Sequence, residues 1–88
     1  MEKKRLGFVG IIIEDRQKSA CKVNEILSEF GELIIGRMGL PHPLKKKCCA
    51  ITLIVDASTD EMGAFTGKLG KIRGVSAKSA MSKETVGK

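Results

Sequence analysis

The sequence predicts an α+β fold of order β-α-β-β-α-β, a four-stranded antiparallel sheet with both helices on one face. Three observations lead there. Cys48 to Asp56, CCAITLIVD, sets Ile51, Leu53 and Val55 against Ala50, Thr52 and Ile54, apolar or β-branched on both sides, as a central strand requires. It carries neither charge nor proline before Asp56, the usual guards of a sheet edge. The same pattern occurs earlier: one constant offset carries Val9, Ile11 and Ile13 onto Ile51, Leu53 and Val55, and also Ala20, Val23, Leu27 and Phe30 onto Met62, Phe65, Leu69 and Ile72. Each half therefore reads as strand then helix. Right-handed crossovers between two such halves place the helices together on one face, with the first and third strands central.

In chain order, residues 1–5 are a charged lead-in to a strand over about 6–13, interrupted by Gly7 and Gly10, which suggest a bulge or a close backbone approach. Asp15 is placed to cap a helix over about 16–30, because its carboxylate can accept from the free amides of the first turn. Ala20, Val23, Leu27 and Phe30 form that helix's apolar stripe, Lys18, Lys22, Asn24 and Glu25 lie outside it, and Gly31 is a suitable left-handed terminator. Alternation over about 32–40 groups Ile34, Gly36, Met38 and Leu40 on one face and Leu33, Ile35 and Arg37 on the other, and Pro41, His42 and Pro43 end the strand. Ser58 with Glu61 forms a capping-box pattern opening a second helix over about 60–72. Gly63, Gly67 and Gly70 weaken that helix locally, so tertiary packing must hold it. Val75, Ala77 and Met81 mark the last strand, and residues 82–88 read as a frayed tail. The 88 residues thus describe a single ferredoxin-like domain.

A consequence concerns the sheet's second face. If Val9, Ile11, Ile13, Ile51, Leu53 and Val55 meet the helices, then Phe8, Ile12, Ala50, Thr52 and Ile54 point away, with Leu33 and Ile35 beside them. So much contiguous apolar surface calls for a cover, and a second copy of the chain is the expected one, as a dimer or tetramer.

Composition narrows the function classes. No apolar run is long enough to span a bilayer, and neither a membrane role nor a signal peptide is expected. Three cysteines, two adjacent, make a poor disulfide framework and favour thiols in a cytoplasmic, reducing compartment. The net charge of +6 is concentrated at Lys3, Lys4 and Arg5, at Lys45, Lys46 and Lys47, and at Lys88, in an arm, a loop and a tail. Such runs read first as solvated surface, and nucleic-acid binding through them is expected to be weak and non-specific at most. No Tyr or Trp offers a base-stacking platform, no paired cysteines stand in the first turn as in a copper chaperone, and no Ser/His or Cys/His pair suggests catalysis. Because the first strand starts almost at once, no DNA-binding segment is expected ahead of it. What remains is a binding or interaction module.

Two stretches resemble known families. GIIIEDRQKSACKVNEILSEFG, with an acidic-Arg turn between strand and helix and a glycine after the helix, resembles an ACT-type regulatory domain. With IIGRMGLPHPLKKKCCAITLIVDASTDEMGAFTGKLGKIRGVSAK, nearly the whole chain is similar to the small family provisionally described as iron-only hydrogenase system regulators, which is compared with the C-terminal domain of the nickel-responsive regulator. The resemblance implies a ligand-sensing, oligomerising, regulatory and non-enzymatic role. It also implies an effector near the first strand-to-helix turn, here Glu14, Asp15, Arg16 and Gln17, where helix amides can meet an anion. Gln17 departs from the glycine often found there in amino-acid-binding ACT domains. The plainer reading gives Asp15 only a capping role and Arg16 only a surface ion pair.

The nickel comparison can be tested by position. The regulator's His-x-His-x5-Cys run, aligned on Cys49, puts Pro41 and Pro43 at the histidine positions; aligned on Cys48, it recovers His42 but meets Leu40. A degenerate metal site would have to use His42, Cys48 and Cys49 from several subunits. Against it stands the reading of Cys48 as a loop thiol and Cys49 as a small buried hydrophobe. No cofactor is indicated. Two functions stay open: a ligand-sensing regulatory module, or a basic interaction module for a partner protein or a nucleic-acid backbone.

Overall fold

The computed structural model describes residues 3–83, so most of the predicted tail lies outside the described residues. Strand β1 (Arg5–Ile13) is followed by helix α1 (Arg16–Glu29), a 3-10 turn (Gly31–Leu33), β2 (Ile34–Pro41), β3 (Cys49–Ala57), α2 (Thr59–Gly70) and β4 (Val75–Met81). The sheet order is β2-β3-β1-β4 and every neighbouring pair is antiparallel. The predicted order and the two central strands are therefore as observed.

Packing follows the period-two pattern. Val9, Ile11, Ile13, Leu53 and Val55 are wholly buried against Val23 and Leu27 of α1 and Phe65 and Leu69 of α2. The Phe30 and Phe65 rings meet with centroids 4.9 Å apart and close the core between the helices. Ser58 accepts from the Glu61 amide at 3.1 Å and Glu61 accepts from the Ser58 amide at 2.9 Å, so the capping box is formed. Lys4 reaches the same Glu61 carboxylate at 2.9 Å. The Ser58 amide first and Lys4 second hold the Glu61 carboxyl below the ordinary glutamate range.

Three local expectations are corrected. Gly31 is not left-handed; the chain leaves α1 through the 3-10 turn, and among the described glycines the positive φ belongs to Gly74, at 78°. Leu33, expected on the open face, sits in that turn, where it is only 7% exposed within the core. A β-bulge between Ile34 and Gly36 then inserts one residue and reverses the alternation, because a one-residue shift moves each following side chain across the sheet. Ile34 pairs with Val55 on the helix face, whereas Gly36, Met38 and Leu40 pair with Ile54, Thr52 and Ala50 on the open face. Ile35 is the inserted residue and stays exposed. In β1 the pairing runs without a bulge. Gly7 is required by close approach, since a Cβ there would lie 2.8 Å from the Ala80 carbonyl oxygen.

Open-face neighbours can be read across the sheet. Leu40, Ala50, Ile12 and Ser76 form one row; Met38, Thr52, Gly10 and Lys78 the next; Gly36, Ile54, Phe8 and Ala80 the third; Asp56 and Leu6 begin a fourth. Phe8 and Ile12 are about half exposed and Met38 and Leu40 61% exposed, which leaves a broad apolar face with no layer over it among the described residues.

Candidate functional site

The C-terminal end of β1 is where the topology gathers loops. Because β3 and β4 both run antiparallel to β1 and both begin beside Ile13, the β2–β3 loop and the α2–β4 turn reach the β1–α1 turn from opposite sides. The Glu14 amide donates to the Gly74 carbonyl at 2.9 Å, and the Arg16 amide donates to the Lys47 carbonyl at 2.7 Å. Ser19, buried in α1, donates its hydroxyl to the Arg73 carbonyl at 3.0 Å. The Cys48 thiol donates to the Glu14 carbonyl at 3.1 Å, with Glu14 Oε1 at 3.9 Å. The turn is thus clamped by backbone bonds on both flanks.

Within it, Asp15 caps α1 as expected, its carboxylate accepting from the Gln17 amide at 3.1 Å. Arg16 meets no carboxylate among the described residues, so the expected surface ion pair is not formed. It lines a shallow hollow of about 220 Å³ between α1 and the edge strand β2, together with Asn24 and Arg37. Arg37 reaches that hollow because the bulge turned it to the helix face, opposite Leu53. Two guanidiniums and an amide over an apolar floor of Ile13 and Ile51 suit a small anionic group.

Within one chain the metal candidates His42, Cys48 and Cys49 are not gathered into a site. His42 Nδ1 accepts from the Leu44 and Lys45 amides at 3.0 and 2.9 Å, which fixes the proton on Nε2 and leaves that nitrogen no lone pair for a metal. Cys48 is turned to Glu14, and Cys49 lies on the helix face in register with Ile13. Among the described residues no three His, Cys, Asp or Glu side chains converge as a metal cage needs. All three cysteines are free thiols.

Sequence reasoning missed Lys47, Ser19, Arg73 and Gly74 around the turn, along with Arg37. Spacing is the signal for Ser19, which stands four residues before Val23 on the buried stripe although it is polar.

A βαββαβ chain whose four-stranded antiparallel sheet carries both helices on one face is an ACT-like member of the ferredoxin-like folds. The chain belongs to the TM1266-like family, provisionally described as an iron-only hydrogenase system regulator, which it matches over residues 5–79. It is similar to the structure of uncharacterized protein TM1266 from Thermotoga maritima, at 38% identity and a TM-score of 0.86, covering 92% of this chain and 100% of that one. It also resembles the ACT domain from GTP pyrophosphokinase of Chlorobium tepidum, at 20% identity and a TM-score of 0.73, covering 88% and 99% of the two chains. The regulatory subunit of aspartate kinase from Thermus flavus shares the fold at 18% identity and a TM-score of 0.54, covering 90% of this chain and 60% of that one. No curated protein matches. No described helix is long and apolar enough to cross a membrane.

Proposed function

We propose that this chain is a small-ligand-sensing regulatory module of the iron-only hydrogenase system, without a catalytic step of its own, assembled from copies of itself through the open sheet face. The single observation that carries the reading is that face. Phe8, Ile12, Met38, Leu40 and Ile54 stand contiguous and exposed, far more apolar surface than isolated surface residues present. Apolar hollows of about 310 and 340 Å³ lie toward its two ends, one beside Ile12 and Leu40, the other beside Leu6 and Phe8. Between them Gly10 leaves the sheet flat, with nothing within 4 Å of the position of a Cβ.

The effector is assigned to the first turn. Glu14 and Asp15 set the backbone, Arg16 with Arg37 supplies cationic donors, and Gln17 closes the cap. The absence of catalysis is supported by the partners of the nucleophile and base types, since the Cys48 thiol faces a carbonyl and His42 is spent on loop amides. Methyl NMR with a soluble spin label tests the assembly. Ile12, Leu40 and Ile54 should keep their signals while Leu44, 86% exposed in the β2–β3 loop, loses its own; equal bleaching of all four overturns the reading. A thermal-shift series with small carboxylates tests the effector, which should lose its stabilising effect in Arg16→Ala.

A further inference from the structure

On the other flank of the β1–α1 turn, α1 and the α2–β4 turn border an open hollow of about 570 Å³, lined by Lys18, Lys22, Ile72, Arg73 and Gly74 together with Ser19 and Asp15. We propose that it binds a small phosphate-bearing anion, held by Lys18, Lys22 and Arg73. Lys18 and Lys22 are four residues apart on α1, so their side chains leave the same helix face, where like charges repel. Arg73 is brought to the same hollow by its backbone. Its carbonyl takes the hydroxyl of the buried Ser19 at 3.0 Å, and the next residue, Gly74, turns with φ 78° and accepts from the Glu14 amide at 2.9 Å.

None of the three cations has a carboxylate partner within 4.0 Å among the described residues, whereas Lys4 and Lys68 each have one. The carboxylate in the lining is Asp15, which already accepts from the Gln17 amide. Three cations against one carboxylate leave a formal charge of +2 facing the hollow. Such a concentration of unpaired positive charge is unfavourable for the free protein and is relieved by an anion. Phosphate fits its chemistry, since arginine can fork across two phosphate oxygens while lysines act as point charges. The volume falls within the range of roughly 300–1,000 Å³ usual for small-molecule sites, and Ile72 offers an apolar wall for the remainder of a phosphorylated ligand. A concave site of this size favours a compact ligand over a duplex, whose phosphates run along an extended stripe. None of the three cations belongs to the Glu14–Gln17 turn or the open face, so this inference can fail while the effector and assembly readings stand.

Pyrophosphate titrated into the full chain and followed by amide NMR tests it. Saturable shifts centred on Ser19 and Gly74 are expected, with affinity weakened roughly tenfold or more in Lys22→Gln/Arg73→Gln and unchanged in Lys45→Gln. The melting temperature of the double variant should not fall, because the substitution removes repulsion rather than a contact; a marked fall would mean that these cations serve the fold. If the double variant does not fold, Lys18→Gln, on the exposed surface of α1, carries the affinity test instead. Shifts that do not saturate at millimolar pyrophosphate, or that weaken equally in Lys45→Gln, overturn the proposal. A short DNA duplex that binds through these same residues more tightly than pyrophosphate would overturn it in favour of a nucleic-acid backbone.

Discussion

The two faces of one sheet are made by the same strands, yet they have opposite fates. On the helix side, Val9, Ile11, Leu53 and Val55 are sealed by α1 and α2; one residue along each strand, Phe8, Ile12 and Ile54 remain open. Both faces are apolar, so hydrophobicity alone does not define the core of a single chain. What defines it is which face the right-handed crossovers cover. The same rule that buries the first face leaves the second one apolar and exposed.

Substitutions can break this comparison, and the greatest effect should come from the covered side. Phe65→Ala removes a fully buried ring that touches Phe30, and should cost about 3–5 kcal/mol of folding stability in chemical denaturation. Ile54→Glu, on the opposite face, should leave the protomer's secondary structure intact by circular dichroism while dissociating the assembly, since a buried unpaired charge costs several kcal/mol at an interface. Were Ile54→Glu to sediment like the wild type, the second face would be ordinary solvent surface. Ser58→Ala removes the α2 cap and should cost about 1 kcal/mol whatever covers the open face.

Glu61 adds a pH dependence to that same helix end. Its folded-state carboxyl titrates below the ordinary range, so its contribution is complete at neutral pH and is lost as the pH falls through the lowered value. The stability gap between wild type and Glu61→Gln should therefore be widest near neutrality and shrink once the pH drops below about 4.3. Smallest of all should be the effect of neutralising Lys45, Lys46 and Lys47. All three lysines are exposed, and their neutralisation should remove weak, salt-sensitive duplex binding while the assembly persists. One duplex sequence bound tightly at physiological salt would instead make the chain a direct reader of DNA.

The contrast between the faces also shows how far periodicity carries. In β1 and β3 strict alternation with uninterrupted pairing let each side chain be assigned to its face from the sequence. In β2 the same reasoning placed Leu33 and Ile35 on the open face and left out Met38 and Leu40, because nothing local announces the bulge that inserts Ile35. Gly36, three residues past Leu33 and next to the inserted Ile35, is the available hint, since a glycine inside a strand often marks a bulge. At the candidate site, Asp15's cap was legible because capping is local chemistry. The clamp by Lys47, Arg73 and Gly74 was not, although the strand order alone brings their two connections to the first turn. His42 shows the opposite case: its spacing from the cysteines suggested a ligand, while its environment makes it the acceptor that folds the loop.

The central claim is that the open face is covered by another copy of this chain, and sedimentation velocity on the wild-type protein at micromolar concentration tests it most directly. The account predicts a dimer or tetramer that persists on dilution through that range. A single species with the mass of one 9.5 kDa chain, bearing an exposed Phe8, Ile12 and Ile54, would contradict it.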